Sequence, residues 1–343
     1  KALRERKRIA GRKGIVAYDW GTANTLLIPI GGDLHLVTLP DSGAEARQLT
    51  ATDSFEYDAK VSPSGTYVSF VRDGAVYAID LASGEEQRLT PLAEPDQAIA
   101  YGVAEFVAQE EMDRYTGYWW SPDDRFIAYT KVDESTVDII PRFDIAAEDV
   151  TVIDQRYPRA GRPNAIVDLF VRDLETGTVT EINWRRDDWG PAVDQYLARV
   201  YFRRGRTGGE NLFIGRINRD QTDYDLTTVR MPDTGAPASD PAYVFTETHD
   251  TWINLQSDFS TAAFMYTLTA EAPGGFRQIL ASRADAQEEF VPLTPDDFTV
   301  TSMAGVFETE AKIFFTGFGE TPLERHLYSI PIDGGTPPRI ATQ

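Results

Sequence analysis

Val61-Ser-Pro-Ser-Gly-Thr-Tyr-Val-Ser-Phe-Val-Arg-Asp-Gly-Ala-Val-Tyr-Ala-Ile-Asp-Leu-Ala-Ser-Gly-Glu-Glu-Gln-Arg-Leu-Thr90 is the stretch that decides the fold. A Ser-Pro-Ser-Gly turn leads into the alternating strand Tyr67–Phe70. A second strand runs through Gly74–Asp80. Leu81–Gly84 turns the chain, and Glu86–Thr90 forms an edge strand. Short alternating runs bounded by Gly, Pro, Ser and Asp are the hairpin signal.

Working outward, the pattern recurs. Leu26-Leu-Ile-Pro-Ile30, His35-Leu-Val-Thr-Leu39 and Arg47-Gln-Leu-Thr50 make an equivalent unit, with Thr50 and Thr90 closing units forty residues apart. Ser121-Pro-Asp-Asp-Arg-Phe-Ile-Ala-Tyr129 reopens the pattern, and Asp168-Leu-Phe-Val-Arg-Asp-Leu-Glu-Thr-Gly177 continues it. Fainter units follow at 198–231, 252–293 and 300–340, the second opening on Trp252, which reads as core. A period of roughly 40 residues with about four short strands per unit predicts an all-β fold, a β-propeller of about six visible blades. A linear array of β-sandwiches is the competing architecture. Two segments break the rhythm: about 91–117, which reads as a helical insertion, and about 133–165, a long insertion between strands. Insertions of this kind carry function or contacts.

Composition narrows the function. The chain has 343 residues, 42% of them hydrophobic, and a net charge of −21. That is enough apolar material for a large core. The charge argues against nucleic acid and against anionic membrane surfaces. No apolar run approaches the roughly 20 residues of a membrane-spanning helix. Cysteine is absent, which excludes disulfides and thiol chemistry and leaves the compartment open. The basic start Lys1-Ala-Leu-Arg-Glu-Arg-Lys-Arg8 has no apolar region after it and no initiator Met, so the chain reads as a piece of a longer one.

The helical insertion holds the candidate site. In Gly102-Val-Ala-Glu-Phe-Val-Ala-Gln-Glu-Glu-Met-Asp-Arg-Tyr-Thr-Gly-Tyr-Trp-Trp120, residues Val103, Phe106, Val107 and Met112 form an apolar stripe. Glu110 and Glu111 are adjacent. Two carboxylates held close raise one pKa unless a cation joins them. A primary ammonium offers three donors to their acceptors. On chemistry alone a solvated helix face accounts for such a pair better, since Glu85-Glu86 and Glu288-Glu289 also occur. Glu85-Glu86 reads as a solvated edge. Of the neighbouring tryptophans, one of Trp119 and Trp120 should enter the core and the other should line the helix.

The 19-residue run resembles the dipeptidyl peptidase IV family, most closely its branch containing dipeptidyl peptidases eight and nine. Further echoes follow in order: Arg4-Glu-Arg-Lys-Arg-Ile9, Glu134-Ser-Thr-Val-Asp-Ile-Ile140, Tyr157-Pro-Arg-Ala-Gly161, Asp250-Thr-Trp-Ile-Asn254, Gly275-Phe-Arg277 and Pro322-Leu-Glu-Arg-His-Leu-Tyr328. Met112 stands where the family has an aromatic residue, and Ala165 where it often has Pro. The resemblance implies an eight-bladed propeller followed by an α/β-hydrolase domain, expected beyond residue 343. It implies that Glu110 and Glu111 bind the N-terminal ammonium of a peptide, that Arg8 contacts its first carbonyl, and that the whole enzyme is a serine dipeptidyl peptidase releasing Xaa-Pro or Xaa-Ala dipeptides. It also implies a possible homodimer.

The chain itself shows no Gly-x-Ser-x-Gly elbow, no metal spacing and no cofactor motif. His35, His249 and His326 fall in strand or loop patterns rather than in a triad order. No catalytic residue, metal or cofactor is expected here, and the isolated chain should be inactive. The alternative reading is a non-catalytic propeller used as an interaction scaffold. A glycosidase using Glu110 and Glu111 is disfavoured, because neighbouring residues do not hold the roughly 5–9.5 Å carboxyl spacing across a bond that such chemistry needs.

Overall fold

The structure is a computed structural model. It describes residues 14–340 apart from Val16, Ala23, 40–42, 146–148, 205–208, 233–240, Gln256, 263–264, Pro273, 284–288, Glu320 and Pro337. Among the described residues strand accounts for 52% and helix for 5%, so the class is all-β as expected. The chain divides into two compact units, Lys1–Leu197 and Ala198–Gln343.

In the first unit, sheet 1 is Asp19–Trp20, Thr25–Ile30, Asp33–Thr38 and Glu45–Gln48, with neighbouring strands antiparallel. Sheet 2 is Tyr57–Val61, Tyr67–Arg72, Ala75–Asp80 and Glu86–Arg88. Sheet 3 is Tyr118–Trp120, Phe126–Asp133, Ile166–Asp173 and Val179–Ile182. In the second unit, sheet 5 (Phe259–Ser260, Met265–Glu271, Arg277–Arg283, Val291–Pro292) precedes the three-stranded sheet 6 (Thr299–Phe307, Lys312–Phe318, His326–Pro331). Sheet 4 is Gln195–Arg204, Glu210–Asn218, Asp223–Arg230 and Ala242–Thr248, its first strand spanning the division.

Short side-chain bonds explain why the sequence repeats. Ser62 Oγ accepts from the Tyr67 amide at 3.0 Å, and Ser121 Oγ accepts from the Phe126 amide at 2.8 Å. Each serine thus closes the turn before its strand. Gly65 (φ +81°) takes the left-handed position of the first turn and Asp124 (φ +61°) that of the second. The units end alike as well. Thr50, Thr90 and Thr294 Oγ1 accept from the amides of Leu34, Val76 and Ile279 at 2.9, 3.0 and 3.2 Å. From just past the end of the edge strand, each hydroxyl satisfies one buried amide of the neighbouring third strand, where an unpaired donor would be costly. The third of these, in Pro292-Leu293-Thr294, was legible beside the first two and escaped the repeat reading.

The core lies between consecutive sheets. Leu27 and Leu34 of sheet 1 pack with Val68, Phe70 and Ile79 of sheet 2. Val71, Val76 and Ala78 on sheet 2 pack with Tyr118, Trp120, Ile127 and Tyr129 of sheet 3. The second unit repeats this, with Phe213 and Leu226 against Phe259 and Leu268, and Ile279 and Ala281 against Val300, Ile313 and Phe315. A sheet packed on both faces needs apolar residues at every position. Tyr67–Arg72 and Phe126–Asp133 accordingly show near-continuous burial rather than the predicted alternation. Alternation survives in Ile166–Asp173 and Lys312–Phe318.

Three readings change. Trp252 is not core and opens no strand: it is 46% exposed, in a loop before Phe259. The segment 91–117 contains the strand Ile99–Tyr101, paired with Lys131–Asp133, so the α-helix there occupies only Phe106–Glu111. Glu86 is not merely solvated, because it pairs with Arg72. The insertion at 133–165 forms a ribbon, Ile139–Ile145 against Val150–Arg156.

Candidate functional site

The helix Phe106–Glu111, here α1, sits on a loop clasped at its base by one residue. Thr130, on the second strand of sheet 3, accepts from the Gly102 amide at 2.8 Å through its carbonyl. Its amide donates to the Gly117 carbonyl at 2.9 Å, and its hydroxyl donates to the Val103 carbonyl at 2.7 Å. The outgoing and returning limbs therefore meet. A Cβ added at Gly117 would lie 2.3 Å from the Val103 nitrogen, a space that admits only glycine. Asp113, at φ +51°, turns the chain back after the helix.

α1 buries Ala108 completely and is followed by the buried Met112, while Phe106 meets Tyr157 edge-on at 4.9 Å between ring centroids. Glu110 and Glu111 are the last two residues of α1, and both are exposed. The carbonyl end of a helix carries partial negative charge. The last turn holds no basic residue to offset it. Two exposed glutamates therefore stand at the carbonyl end of α1.

The limb returning from α1 is fastened by buried polar groups. Arg114 and Glu105 form an ion pair at 2.8 Å with both side chains 4% exposed. Thr116 Oγ1 donates to Asp58 at 2.7 Å and accepts from Lys60 at 2.7 Å. The Lys60 ammonium also lies 2.8 Å from Asp58 and 3.6 Å over the Tyr118 ring. Burial pushes the pKa of Lys60 down, opposed by Asp58, and pushes that of Tyr118 up. Trp120 enters the core and donates to Ser69 at 2.8 Å. Trp119 is half-buried, its ring 6.0 Å from the Arg114 guanidinium.

Beside α1, Asp138 accepts from Arg162 and Arg159, which hold its carboxyl down at about 2. This bond set ties Tyr157-Pro-Arg-Ala-Gly-Arg162 to the foot of the ribbon. Sequence reasoning missed Arg114, Glu105 and Thr130, because a positioning role shows only once their partners are known. Arg8, the other predicted contact, lies outside the described residues.

The three histidines build no triad with a serine among the described residues. His35 lies in the third strand of sheet 1, and His326 faces Glu324 at 3.1 Å. His249 has Glu271 at 3.6 Å and Thr251 at 3.5 Å on an exposed loop. No group of three or more His, Asp or Glu is placed to hold a metal among the described residues.

A small cleft in the second unit is lined by Tyr201, Tyr224, Phe245, Phe259, Glu247 and Asp258. Its acids are structural. Asp258 accepts from Thr269 and the Met303 amide, each at 3.0 Å. Burial, with Glu271 adding repulsion, lifts the Glu247 carboxyl to about 7. A carboxyl whose folded pKa is raised holds its proton in the fold after the unfolded chain has released it. Stability therefore falls as pH rises from about 4.5 to about 7. Glu247→Gln should remove this dependence. Thermal melts should show no gain at pH 4 and a gain on the order of 2 kcal/mol at pH 8, discounted for solvent screening. Equal pH slopes in the two proteins would contradict the assignment.

Known proteins resemble the whole chain. The family described as "Dipeptidyl peptidase IV (DPP IV) N-terminal region" matches residues 28–343. Dipeptidyl peptidase 8 of Mus musculus is 26% identical, the match covering 95% of this chain and 45% of that protein. Inactive dipeptidyl peptidase 10 of Rattus norvegicus is 27% identical over 68% of this chain and 30% of its own length. The crystal structure of Porphyromonas gingivalis dipeptidyl peptidase 4 superposes with a TM-score of 0.78 at 19% identity, covering 99% of this chain and 48% of that one. The chain spans about half the length of the curated dipeptidyl peptidase 8 it matches. The succession of small antiparallel sheets is that of a β-propeller, and six such sheets lie among the described residues besides the two-stranded ribbon. With nearly its full length matched, the chain belongs to the dipeptidyl peptidase IV N-terminal region family.

Proposed function

We propose that this chain is the substrate-binding and gating propeller of a serine dipeptidyl peptidase, which releases N-terminal Xaa-Pro or Xaa-Ala dipeptides. One observation carries the reading: an exposed carboxylate pair at the carbonyl end of a helix whose loop is clasped at its base. Glu110 and Glu111 bind the substrate ammonium, and the body of α1 leaves no room for residues upstream of it. Selectivity for peptide ends then follows from charge and geometry. Arg8 contacts the first carbonyl, on resemblance alone. The nucleophile belongs to an α/β-hydrolase domain of the same protein, in an implied eight-bladed propeller arrangement.

The test compares two proteins. The full-length protein should release the chromophore from a free-amine Xaa-Pro substrate, and the 343-residue chain alone should not. Turnover by the purified chain that resists inhibitor controls would place the chemistry within it.

The second reading, a non-catalytic scaffold, is favoured by one specific observation: a relative in this family carries "inactive" in its name. Full-length protein that folds and binds peptides without cleaving them would select it.

A homodimer accompanies the proposal, and the ribbon supplies a surface for it. Ile139, Phe143, Ile145, Val150 and Val152 share one face, and each is between 52% and 75% exposed. A contiguous apolar face of this kind marks a contact. The net charge of −21 opposes self-association, so an apolar contact would have to outweigh it. Phe143→Asp with Ile145→Asp should halve the mass in sedimentation equilibrium while leaving the melt unchanged. An unaltered mass would remove the ribbon as the contact.

A further inference from the structure

We infer that Arg114 is a positioning residue for the Glu110–Glu111 pair, an inference that rests on the ammonium-binding reading above. α1 has six residues, far short of what a helix needs to hold itself in water. Its N-cap residue, Glu105, is extended and makes no side-chain capping bond. That carboxylate is turned instead to Arg114, three residues past the helix end, so the ion pair joins the two ends of α1. The guanidinium uses three donors in three directions. Nη2 donates to Glu105 at 2.8 Å, Nη1 to the Thr116 carbonyl at 2.8 Å, and Nε to the Leu197 carbonyl at 3.0 Å. One planar group thereby ties the start of the helix, the returning limb and the backbone at Leu197 into a single frame.

Stability alone does not call for this arrangement. A buried ion pair is expensive to desolvate, and apolar side chains of similar volume often serve as well. What apolar side chains lack is direction, which the rigid fork of arginine supplies. Electrostatics matters too. Glu105 gives the buried Arg114 guanidinium a carboxylate partner. A rotation of α1 by one residue is about 100° and would carry either carboxylate off a shared ammonium.

The test measures, by calorimetry, the Kd of a free-amine Xaa-Pro peptide for the full-length protein, alongside thermal melts. Glu105→Leu with Arg114→Met should melt at or above the wild-type temperature, yet bind about 10- to 100-fold more weakly, the scale of loss from a misplacement of about 1 Å. Adding Glu110→Ala in that background should weaken binding little further. Arg114→Lys, which keeps the charge and loses the fork, should also weaken binding, and it carries the comparison if the double variant fails to fold. Wild-type Kd in a folded variant, or losses that simply add to that of Glu110→Ala, would overturn the inference. If Glu110→Ala and Glu111→Ala themselves leave Kd unchanged, the ammonium reading fails first, a distinct result.

Discussion

Acetylating the N-terminus of an Xaa-Pro peptide should abolish its turnover by the full-length protein. The α-amino group has an unperturbed pKa of about 7.7–8.0, and two facing carboxylates favour its charged form and raise that value in the complex. Acetylation removes the charge and adds bulk at the end of the peptide that the proposal places against α1. Loss of two bonds to charged groups, each about 1.5–3 kcal/mol, predicts a fall in kcat/KM of roughly 10²- to 10⁴-fold. Blocked peptides should fail as competitive inhibitors too, because the defect lies in binding. The measurement compares blocked and free peptides of one sequence at one salt concentration. Comparable kcat/KM for both would rule out ammonium recognition, and with it the assignment as a dipeptidyl peptidase.

Removing either carboxylate should have the next largest effect. Glu110→Ala and Glu111→Ala should each lower kcat/KM about 10- to 150-fold, the range of one lost bond to a charged group. Both residues are exposed at the end of α1, so the melting temperature should move little. Glu110→Gln and Glu111→Gln keep the size of the side chain and lose the charge. If charge is what binds, they should resemble the alanine variants. Wild-type kinetics in all four proteins would make the pair a solvated helix face.

The repeat was legible because each unit carries its own local chemistry. Ser62 and Ser121 close their turns on amides five residues ahead, and Thr50 and Thr90, just past their edge strands, each satisfy one amide of the neighbouring third strand. Such bonds are short in sequence, so they leave a spaced signature. Glu110 and Glu111 were proposed through a motif rather than through their chemistry, since Glu85-Glu86 and Glu288-Glu289 look the same on paper.

Long-range packing was not legible. Trp252 sits in a strand-like run and ends up exposed, because the strand that follows begins only at Phe259. Continuous burial in Tyr67–Arg72 requires a sheet on either side, as the clusters joining sheet 1 to sheet 2 and sheet 2 to sheet 3 show. The ribbon at 139–156 shows its apolar face only once its register pairs Phe143 with Val152 and Ile145 with Val150.

By itself, then, the sequence determined the all-β class, the repeat and the family, since these follow from local turn and strand chemistry and from a long ordered motif. Tertiary structure decided how Glu110 and Glu111 are held. Arg114 and Leu197 are 83 residues apart, and Thr116 and Asp58 are 58 apart. Separations of that length leave no periodic trace. Only folding brings those donors and acceptors into the low-dielectric frame that fixes where the two carboxylates stand.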